Sequence, residues 1–210
     1  MGEQKNANEA LSEKLGKIRR DVEPPYLAKL VGDEVIVFDH NHGSSLYAKG
    51  FYGKPIGIKK PDPNLPFNRE LQLDLLEAVY LVKKGWLIVE DTLSGKRYNA
   101  AEIQEIASKK YDKLREKSFV YEDLRAKGYI VRPGLKFGAD FTVYRQGPGL
   151  DHSAFVVLVL EHENRISSMD MVRAGRLATS VKKRFVIASI SSSESENPTI
   201  VYYVFKWFKP

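Results

Sequence analysis

The sequence of 210 residues contains no cysteine, only two tryptophans and three methionines, and no apolar run of the roughly 20 residues that a membrane-spanning helix requires. The lack of cysteine excludes disulfide bonds, thiol nucleophiles and thiolate metal ligands. The N-terminus is polar and charged, unlike a secretory signal peptide. These absences predict a cytoplasmic protein without a membrane segment.

Hydrophobic residues make up 43% of the chain, which is enough for one sizeable core or two smaller ones. The 33 lysines and arginines exceed the 27 aspartates and glutamates, so the formal net charge is +6. Such an excess favours a polyanionic partner, but a solvated, salt-bridged surface has the same composition. Composition leaves both interpretations open.

The first predicted strand covers residues 30–38, which are largely apolar. The polar residues 39–43 that follow are typical of a turn, so we expect a hairpin with a second strand after them. His40 and His42 lie two residues apart in this turn, but no third or fourth ligand is near in the sequence. We therefore expect no metal site there.

The stretch Gly50–Asn68 is rich in glycine and proline and carries Lys54, so it is predicted to be a long surface loop. The loop is compatible with a contact to nucleic acid and with a solvated connector. Apolar residues recur at helical spacing in residues 71–84 and again in residues 100–107, and both segments are predicted to be helices.

The second half of the chain alternates charged and apolar segments. A charged helix is predicted over residues 109–127, and the apolar segments that follow predict strands at residues 129–132, 136–144, 154–160, 185–190 and 200–208. The economical assembly is an α/β (α+β) chain: a small mixed N-terminal domain, residues 1–110, and a C-terminal domain, residues 111–210, with a central mixed sheet flanked by helices.

The last third of the chain carries a tyrosine, a histidine and a basic helix in close succession. Tyr144 ends a predicted strand, and His152 precedes a strongly apolar one. A helix is predicted from Ser168 to about Lys183, with Arg173, Arg176, Ser180 and Lys183 on one exposed face. Alone, this basic stripe is typical of an ordinary amphipathic helix.

The segment YRQGPGLDHSAF, Tyr144–Phe155, together with MVRAGRLATSVKK, Met171–Lys183, resembles the catalytic domain of the tRNA-splicing endonucleases. The resemblance extends from about Tyr121 to Pro210. The N-terminal half is more loosely similar, through LYAKGFYG and LEAVYLVKKG, to the accessory domain of the archaeal enzymes.

The resemblance implies cleavage of precursor tRNA at a bulge-helix-bulge without metal or other cofactor, as a tRNA-intron lyase that leaves a 2′,3′-cyclic phosphate and a 5′-hydroxyl. It implies that Tyr144 is the general base, His152 the general acid and Lys183, next to Lys182, the group that stabilises the charged phosphorane. A histidine side chain suits an acid at neutral pH. A tyrosine, whose ordinary pKa is about 10, can act as a base only if a nearby cation such as Lys183 lowers its pKa or if it reacts from its minor ionised form.

Two further positions match residues that bind RNA in the family. Arg176 and Trp207 correspond to the pair that holds a bulge base in the opposing active site by cation-π and stacking contacts. Lys54, in the long loop, is another candidate RNA-binding residue. The substrates implied are precursor tRNA and other RNAs with a bulge-helix-bulge.

In this family, two active sites are held apart by an assembly in which an acidic loop docks on a partner. Residues 191–198 occupy the place of that loop, although Glu194 and Glu196 are its only acidic residues. A single catalytic-type domain leaves a homotetramer or a heterotetramer with a structural subunit. The Lys54–Asn68 loop looks like the insertion of crenarchaeal-type catalytic subunits, which favours the heterotetramer.

Three alternatives compete with the nuclease. A structural subunit of the same complex would normally lack the tyrosine, histidine and lysine, whereas a basic RNA-binding module would bind RNA and leave it intact. A metal-dependent DNA nuclease would need clustered carboxylates, and Asp140, Asp151 and Glu161 lack the spacing of a ligand set.

Overall fold

The structure is a computed structural model that describes residues 18–161, 168–169, 171–172, 184–191 and 198–205. The chain divides into two compact units, Met1–Asp112 and Lys113–Pro210. Among the helices of the described residues, none combines the length and the hydrophobicity needed to cross a membrane.

The first unit is built on a six-stranded sheet with the order β3-β4-β2-β1-β5-β6. Its strands are β1 Tyr26–Val31, β2 Glu34–Val37, β3 Lys54–Pro55, β4 Leu71–Leu73, β5 Leu87–Asp91 and β6 Arg97–Tyr98, and its helices are α1 His40–Gly50, α2 Leu75–Lys83 and α3 Ala100–Ser108. Strands β1 and β5 are parallel and the other pairs are antiparallel, so the sheet is mixed.

The predicted hairpin after residue 38 is wrong, because α1 begins there. The carboxylate of Asp39 accepts hydrogen bonds from the backbone N–H groups of Asn41 and His42, at 2.8 and 2.9 Å, and so caps the first turn of a helix. Gly43 is buried in this helix, and its Cα approaches the Leu71 side chain so closely that a Cβ would lie 3.3 Å from it. The close packing of small residues therefore favours a helix where the polar sequence indicated a turn.

The helix predicted over residues 71–84 exists but begins later. Residues Leu71–Leu73 form β4, paired with β2, and α2 starts only after Asp74. The Asp74 carboxylate accepts from the N–H of Leu76 and the Glu77 carboxylate accepts from the N–H of Asp74, which makes a capping box. The predicted helix at residues 100–107 is confirmed as α3.

The second unit is built on a five-stranded sheet with the order β11-β10-β9-β8-β7. Its elements are α4 Leu114–Ala126, β7 Ile130–Pro133, a 3-10 turn Leu135–Phe137, β8 Phe141–Tyr144, β9 Phe155–Glu161, β10 Arg184–Ile190 and β11 Ile200–Phe205. Strands β9 and β10 are parallel and the other pairs antiparallel. Both sheets are mixed, and the predicted α+β fold is confirmed.

Helix α4 covers one face of the second sheet. Its buried residue Tyr121 contacts Phe141 of β8, with ring centroids 6.0 Å apart. Because side chains alternate along a strand, Phe141 and Val143 face α4, whereas Thr142 and Tyr144 face the opposite side. That opposite side carries a second buried cluster made of Ala139, Val156, Phe185 and Ile187. The predicted tyrosine thus lies on the face that α4 leaves uncovered.

Candidate active site

Tyr144 is the last residue of β8 and is partly buried. It pairs with Ile130 of β7, and Arg132 lies on the same face because it pairs with Thr142, two residues away. Burial raises the pKa of Tyr144 above its usual value; the Arg132 guanidinium lowers this pKa and the Asp151 carboxylate raises it further. The pKa of Tyr144 is therefore raised overall, and its hydroxyl stays protonated at neutral pH. A general base needs the opposite shift, a lowered pKa.

Residues 145–154, here called the Asp151 loop, connect Tyr144 to β9. The Asp151 carboxylate accepts hydrogen bonds from three successive backbone N–H groups at the start of this loop. Arg145 and Gln146 donate to Oδ2, both at 3.2 Å, and Gly147 donates to Oδ1 at 2.9 Å. A carboxylate that accepts several backbone N–H groups fixes the conformation of a turn.

Backbone bonds close the same loop. The carbonyl of Gly147 accepts from the N–H groups of Leu150 and Asp151, at 3.1 and 3.0 Å, and the N–H of Ala154 donates to the carbonyl of Val143 at 2.8 Å. Gly147 has φ of 132° and adopts a conformation that residues with a Cβ rarely reach. The chain therefore leaves the sheet after Tyr144 and returns at Ala154, which is hydrogen-bonded to Val143.

This closure places the two described catalytic candidates at opposite ends of one short, fixed loop. Tyr144 precedes the loop and is partly buried, whereas His152 lies near its end and is exposed to solvent. A partly buried hydroxyl and an exposed imidazole are thus carried by the two sides of one hydrogen-bonded loop, and both are groups that can transfer protons. The sequence predicted both residues but not the carboxylate that fixes the turn between them.

The sequence suggested Asp151 only as a possible metal ligand, and its role in the loop was not predicted. The available signal was an aspartate placed after Gly-Pro-Gly, since aspartate side chains often bind the backbone N–H groups of turns. The signal did not show which N–H groups the carboxylate would bind, because those lie four to six residues earlier in the chain.

The other carboxylates considered for metal binding have structural contacts or no described ones. Asp140 accepts from Lys117 Nζ at 3.0 Å and from the backbone N–H of Val159 at 2.7 Å. Glu161 is the last residue of β9. Within the described residues, no group of three or more histidine, cysteine, aspartate or glutamate side chains is placed to hold a metal ion.

The two histidines of the first unit lie at the start of α1. The Nδ1 atom of His42 accepts from the backbone N–H of Leu27 at 3.1 Å. The Nε2 atom of His40 lies 3.9 Å from a carboxylate oxygen of Glu70. Their described contacts are therefore those of structural polar groups.

The remaining predicted residues are not brought to this loop by the described structure. Lys54 is exposed at the start of β3, where it pairs with Gln72, in the unit Met1–Asp112. Other predictions lie outside the described residues: Arg176, Lys182, Lys183, Trp207, Glu194 and Glu196.

Comparison with known proteins identifies relatives of both halves of the chain. Residues 114–202 match the family model described as tRNA intron endonuclease, catalytic C-terminal domain, and residues 26–103 match that of the N-terminal domain of the same enzymes. Together these matches cover more than half of the chain.

Three archaeal relatives, each called tRNA-splicing endonuclease, align along most of their length. The protein of Hyperthermus butylicus is 42% identical over 183 residues, which cover 87% of this chain and 98% of the relative. The protein of Saccharolobus solfataricus is 42% identical over 182 residues, with the same shares. That of Sulfurisphaera tokodaii is 39% identical over 183 residues, 87% of this chain and 99% of the relative. These matches confirm the resemblance found in the sequence, and the chain belongs to the tRNA intron endonuclease family.

Proposed function

We propose that this chain is a catalytic subunit of a tRNA-splicing endonuclease and that it cleaves precursor tRNA at bulge-helix-bulge exon-intron junctions without a metal ion. In this proposal residues 111–210 form the catalytic domain and residues 1–110 the accessory domain. The observation that carries it is the Asp151 loop, which fixes Tyr144 and His152 at its two ends. A non-catalytic subunit would have no need to hold these two groups so firmly.

The proposed reaction is a transesterification within the RNA. The 2′-oxygen next to the cleaved bond attacks phosphorus, a new O2′–P bond forms and the P–O5′ bond breaks. The proton of the 2′-hydroxyl goes to a base, and the leaving 5′-oxygen receives a proton from an acid. The products are a 2′,3′-cyclic phosphate and a 5′-hydroxyl, and no water or cofactor is consumed.

His152 is the proposed acid. Its imidazole is exposed to solvent on the Asp151 loop and is therefore accessible to a phosphodiester of a bound RNA. Proton donation to a leaving oxygen is worth about 10²–10⁴ in rate.

Tyr144 is the proposed base, and its environment makes this the most demanding role. A phenol with a pKa of 10 or more is ionised in about one molecule in a thousand or fewer at pH 7. We infer that Tyr144 acts from this minor form, and that Lys183 favours the phenolate as well as the charged phosphorane. Arg132, on the same face as Tyr144, already lowers its pKa in part.

The proposed partners are precursor tRNA, other RNAs with a bulge-helix-bulge, and further subunits. Two active sites acting on one RNA require at least two catalytic subunits. A heterotetramer with a structural subunit and a homotetramer are the two assemblies compatible with one catalytic domain per chain, and the family resemblance favours the first.

The test is cleavage of an end-labelled precursor tRNA in EDTA, by this chain alone and with candidate structural subunits, followed by analysis of the product ends. We expect cyclic phosphate and 5′-hydroxyl ends, with the partner requirement reporting the assembly. Intact RNA in every mixture would contradict the proposal and favour a structural or RNA-binding role. Cleavage that requires added metal would contradict the mechanism.

A further inference from the structure

A cavity of about 280 Å³ lies on the α4 face of the second sheet, opposite the face that carries Tyr144. It opens between the C-terminal end of α4 and the edge of the sheet nearest the Asp151 loop. Three cationic and three aromatic side chains line it: Lys127, Tyr129, Arg145, Phe155, Arg184 and Tyr202. Such a mixture is unusual for a structural core, where charged side chains are rarely placed around apolar walls.

The strand register explains how these residues meet. Because Ile130 pairs with Tyr144, the preceding residue Tyr129 lies across from Arg145. Phe155 of β9 pairs with Arg184 of β10 in the parallel part of the sheet. Aromatic and cationic side chains therefore alternate from one strand to the next across one end of the strands.

Two of the three cations have no acidic partner among the described residues. Lys127 is paired with the carboxylate of Asp123, which also accepts a hydrogen bond from the hydroxyl of Tyr202. The side chains of Arg145 and Arg184 are exposed and form no ion pair in the described part of the chain. Free guanidinium groups bind phosphate well, since their planar N–H groups match its oxygens.

The apolar walls suit a planar ring. Tyr129 and Phe155 meet edge to face, with ring centroids 5.4 Å apart, and both keep part of their surface exposed. Aromatic side chains of this kind stack with nucleic acid bases regardless of sequence. Lys127 marks the C-terminal end of α4, where the helix carries partial negative charge. A phosphate is therefore favoured on the side of Arg145 and Arg184, and a base nearer α4.

We propose that this cavity binds one unpaired nucleotide of the RNA substrate, with its phosphate on Arg145 and Arg184 and its base against Tyr129 and Phe155. The inference rests on the proposed RNA cleavage. Arg145 directly follows Tyr144, and the two side chains lie on opposite faces of the sheet. The bound nucleotide therefore flanks the cleaved bond, and the RNA strand passes around the edge formed by the Asp151 loop.

The test measures the affinity of the assembled enzyme for a precursor tRNA with a 2′-deoxy substitution at each cleaved junction, over a series of salt concentrations. The double variant Arg145→Gln, Arg184→Gln is expected to bind about 10- to 100-fold more weakly at low salt. The slope of log K against log salt should fall by about 2, one for each lost phosphate contact. The control is Lys109→Gln, Lys136→Gln, which removes the same charge from exposed lysines outside the cavity and should change affinity about twofold or less.

A second variant tests the base side of the cavity. Tyr129→Leu keeps an apolar side chain but removes the ring, so affinity should fall about fivefold or more with an unchanged salt slope. Unchanged affinity in Tyr129→Leu together with unchanged affinity and slope in the arginine variant would overturn the nucleotide site.

The cavity proposal and the proposed function fail in different ways. Wild-type cleavage of the unmodified RNA is measured alongside, and an inactive wild type contradicts the function. An active wild type with unaffected cavity variants contradicts the nucleotide site alone. If the arginine variant loses its assembly by sedimentation while the assembled fraction binds RNA normally, the cavity takes a protein segment and the proposal is wrong.

Discussion

The loop between β5 and β6 and the loop between β8 and β9 are both organised around one aspartate carboxylate. In the first, here called the Asp91 loop (residues 91–97), Asp91 accepts from the N–H groups of Leu93 and Ser94, at 3.0 and 2.7 Å, and from the Ser94 hydroxyl. In the second, Asp151 accepts from the three N–H groups that open the Asp151 loop. The same chemical device fixes both turns.

The difference lies in what each loop presents. Leu93 lies at the tip of the Asp91 loop; it is 97% exposed, and its side chain has no acid-base chemistry. The Asp151 loop separates Tyr144 from His152 and ends beside the cavity that Arg145 lines. A carboxylate-bound turn is thus a general means of shaping a loop, and only the Asp151 loop carries residues that we propose to be catalytic. The predictions that follow test this distinction, from the largest expected effect to the smallest.

His152→Ala is expected to have the largest effect. Removing the proposed acid should lower the cleavage rate by about 10²–10⁴. Affinity for the RNA should change little, because an acid that acts in the transition state adds little to ground-state binding. Single-turnover cleavage and equilibrium binding measure the two quantities. His40→Ala, the same change at the start of α1, is the control and should cleave normally; full activity in His152→Ala would remove His152 from the mechanism.

Asp151→Ala is expected to lower cleavage by about 10- to 100-fold, since small misplacements of catalytic groups have effects of that size. Asp151→Asn should fall between this variant and wild type, because one side-chain oxygen remains to accept N–H groups. Asp91→Ala removes an equivalent carboxylate from the other loop and should leave cleavage within about twofold, because it orients no catalytic group. Equal losses of activity in the two alanine variants would mean that general destabilisation, not loop geometry, is responsible.

The Asp91 carboxylate should instead contribute to the free energy of unfolding, and this contribution should be lost at low pH. Hydrogen bonds from the Ser94 backbone and hydroxyl, and from the Leu93 backbone, hold the pKa of Asp91 at about 2. Because this folded-state pKa lies below the unfolded value, the stabilisation is present above about pH 4 and is lost as the pH falls towards 2. Urea unfolding at pH 5 and pH 2.5 should therefore show a larger loss of stability in wild type than in Asp91→Asn.

The two catalytic candidates that the structure describes were recoverable from sequence because they belong to a local pattern. Tyr144 and His152 flank a Gly-Pro-Gly turn between two apolar segments, and the short segment that contains them resembles the catalytic domain of the family, which is what identified them as candidates. Helix α1 was missed, because its polar, glycine-containing start has little amphipathic signal. What decides it is tertiary packing: the buried Ser44 hydroxyl donates to the carbonyl of Phe67 and accepts from its N–H, at 3.2 and 3.1 Å.

The cavity was beyond sequence reasoning for a different reason. Its lining residues come from a helix end and from the ends of five strands, between Leu124 and Val204 in the chain. Only the pairing of Phe155 with Arg184, and of Ile130 with Tyr144, brings them together. The pairing register of the strands is set by the whole sheet, so no short sequence pattern predicts such a cavity.

The charged residues near Tyr144 allow a further test of its proposed role as the base, with a smaller expected effect. Arg132 lowers the pKa of Tyr144 and Asp151 raises it. Arg132→Gln should therefore move the alkaline limb of the cleavage pH profile to higher pH, and Asp151→Asn should move it to lower pH. At neutral pH, Arg132→Gln should cleave more slowly than wild type, because the phenolate becomes rarer. Lys136→Gln, at the other end of the β7–β8 hairpin, is the control for loss of a positive charge. If the alkaline limb moved in the same direction in Arg132→Gln and Asp151→Asn, titration of Tyr144 would be ruled out as the cause.

The smallest effect concerns the strand that leads into the Asp151 loop. Among the described residues, the hydroxyl of buried Thr142 has no hydrogen-bond partner. Thr142→Val replaces it with a methyl group of similar size and should stabilise the protein by about 0.5–1 kcal/mol. Val143→Thr, which buries a new hydroxyl against α4, should destabilise it by about 1–3 kcal/mol. Urea unfolding measures both, and a less stable Thr142→Val would show that the hydroxyl is bonded. If cleavage by Thr142→Val stays at the wild-type rate while stability changes, activity depends on the bonds of the Asp151 loop and not on the stability of the strand that carries it.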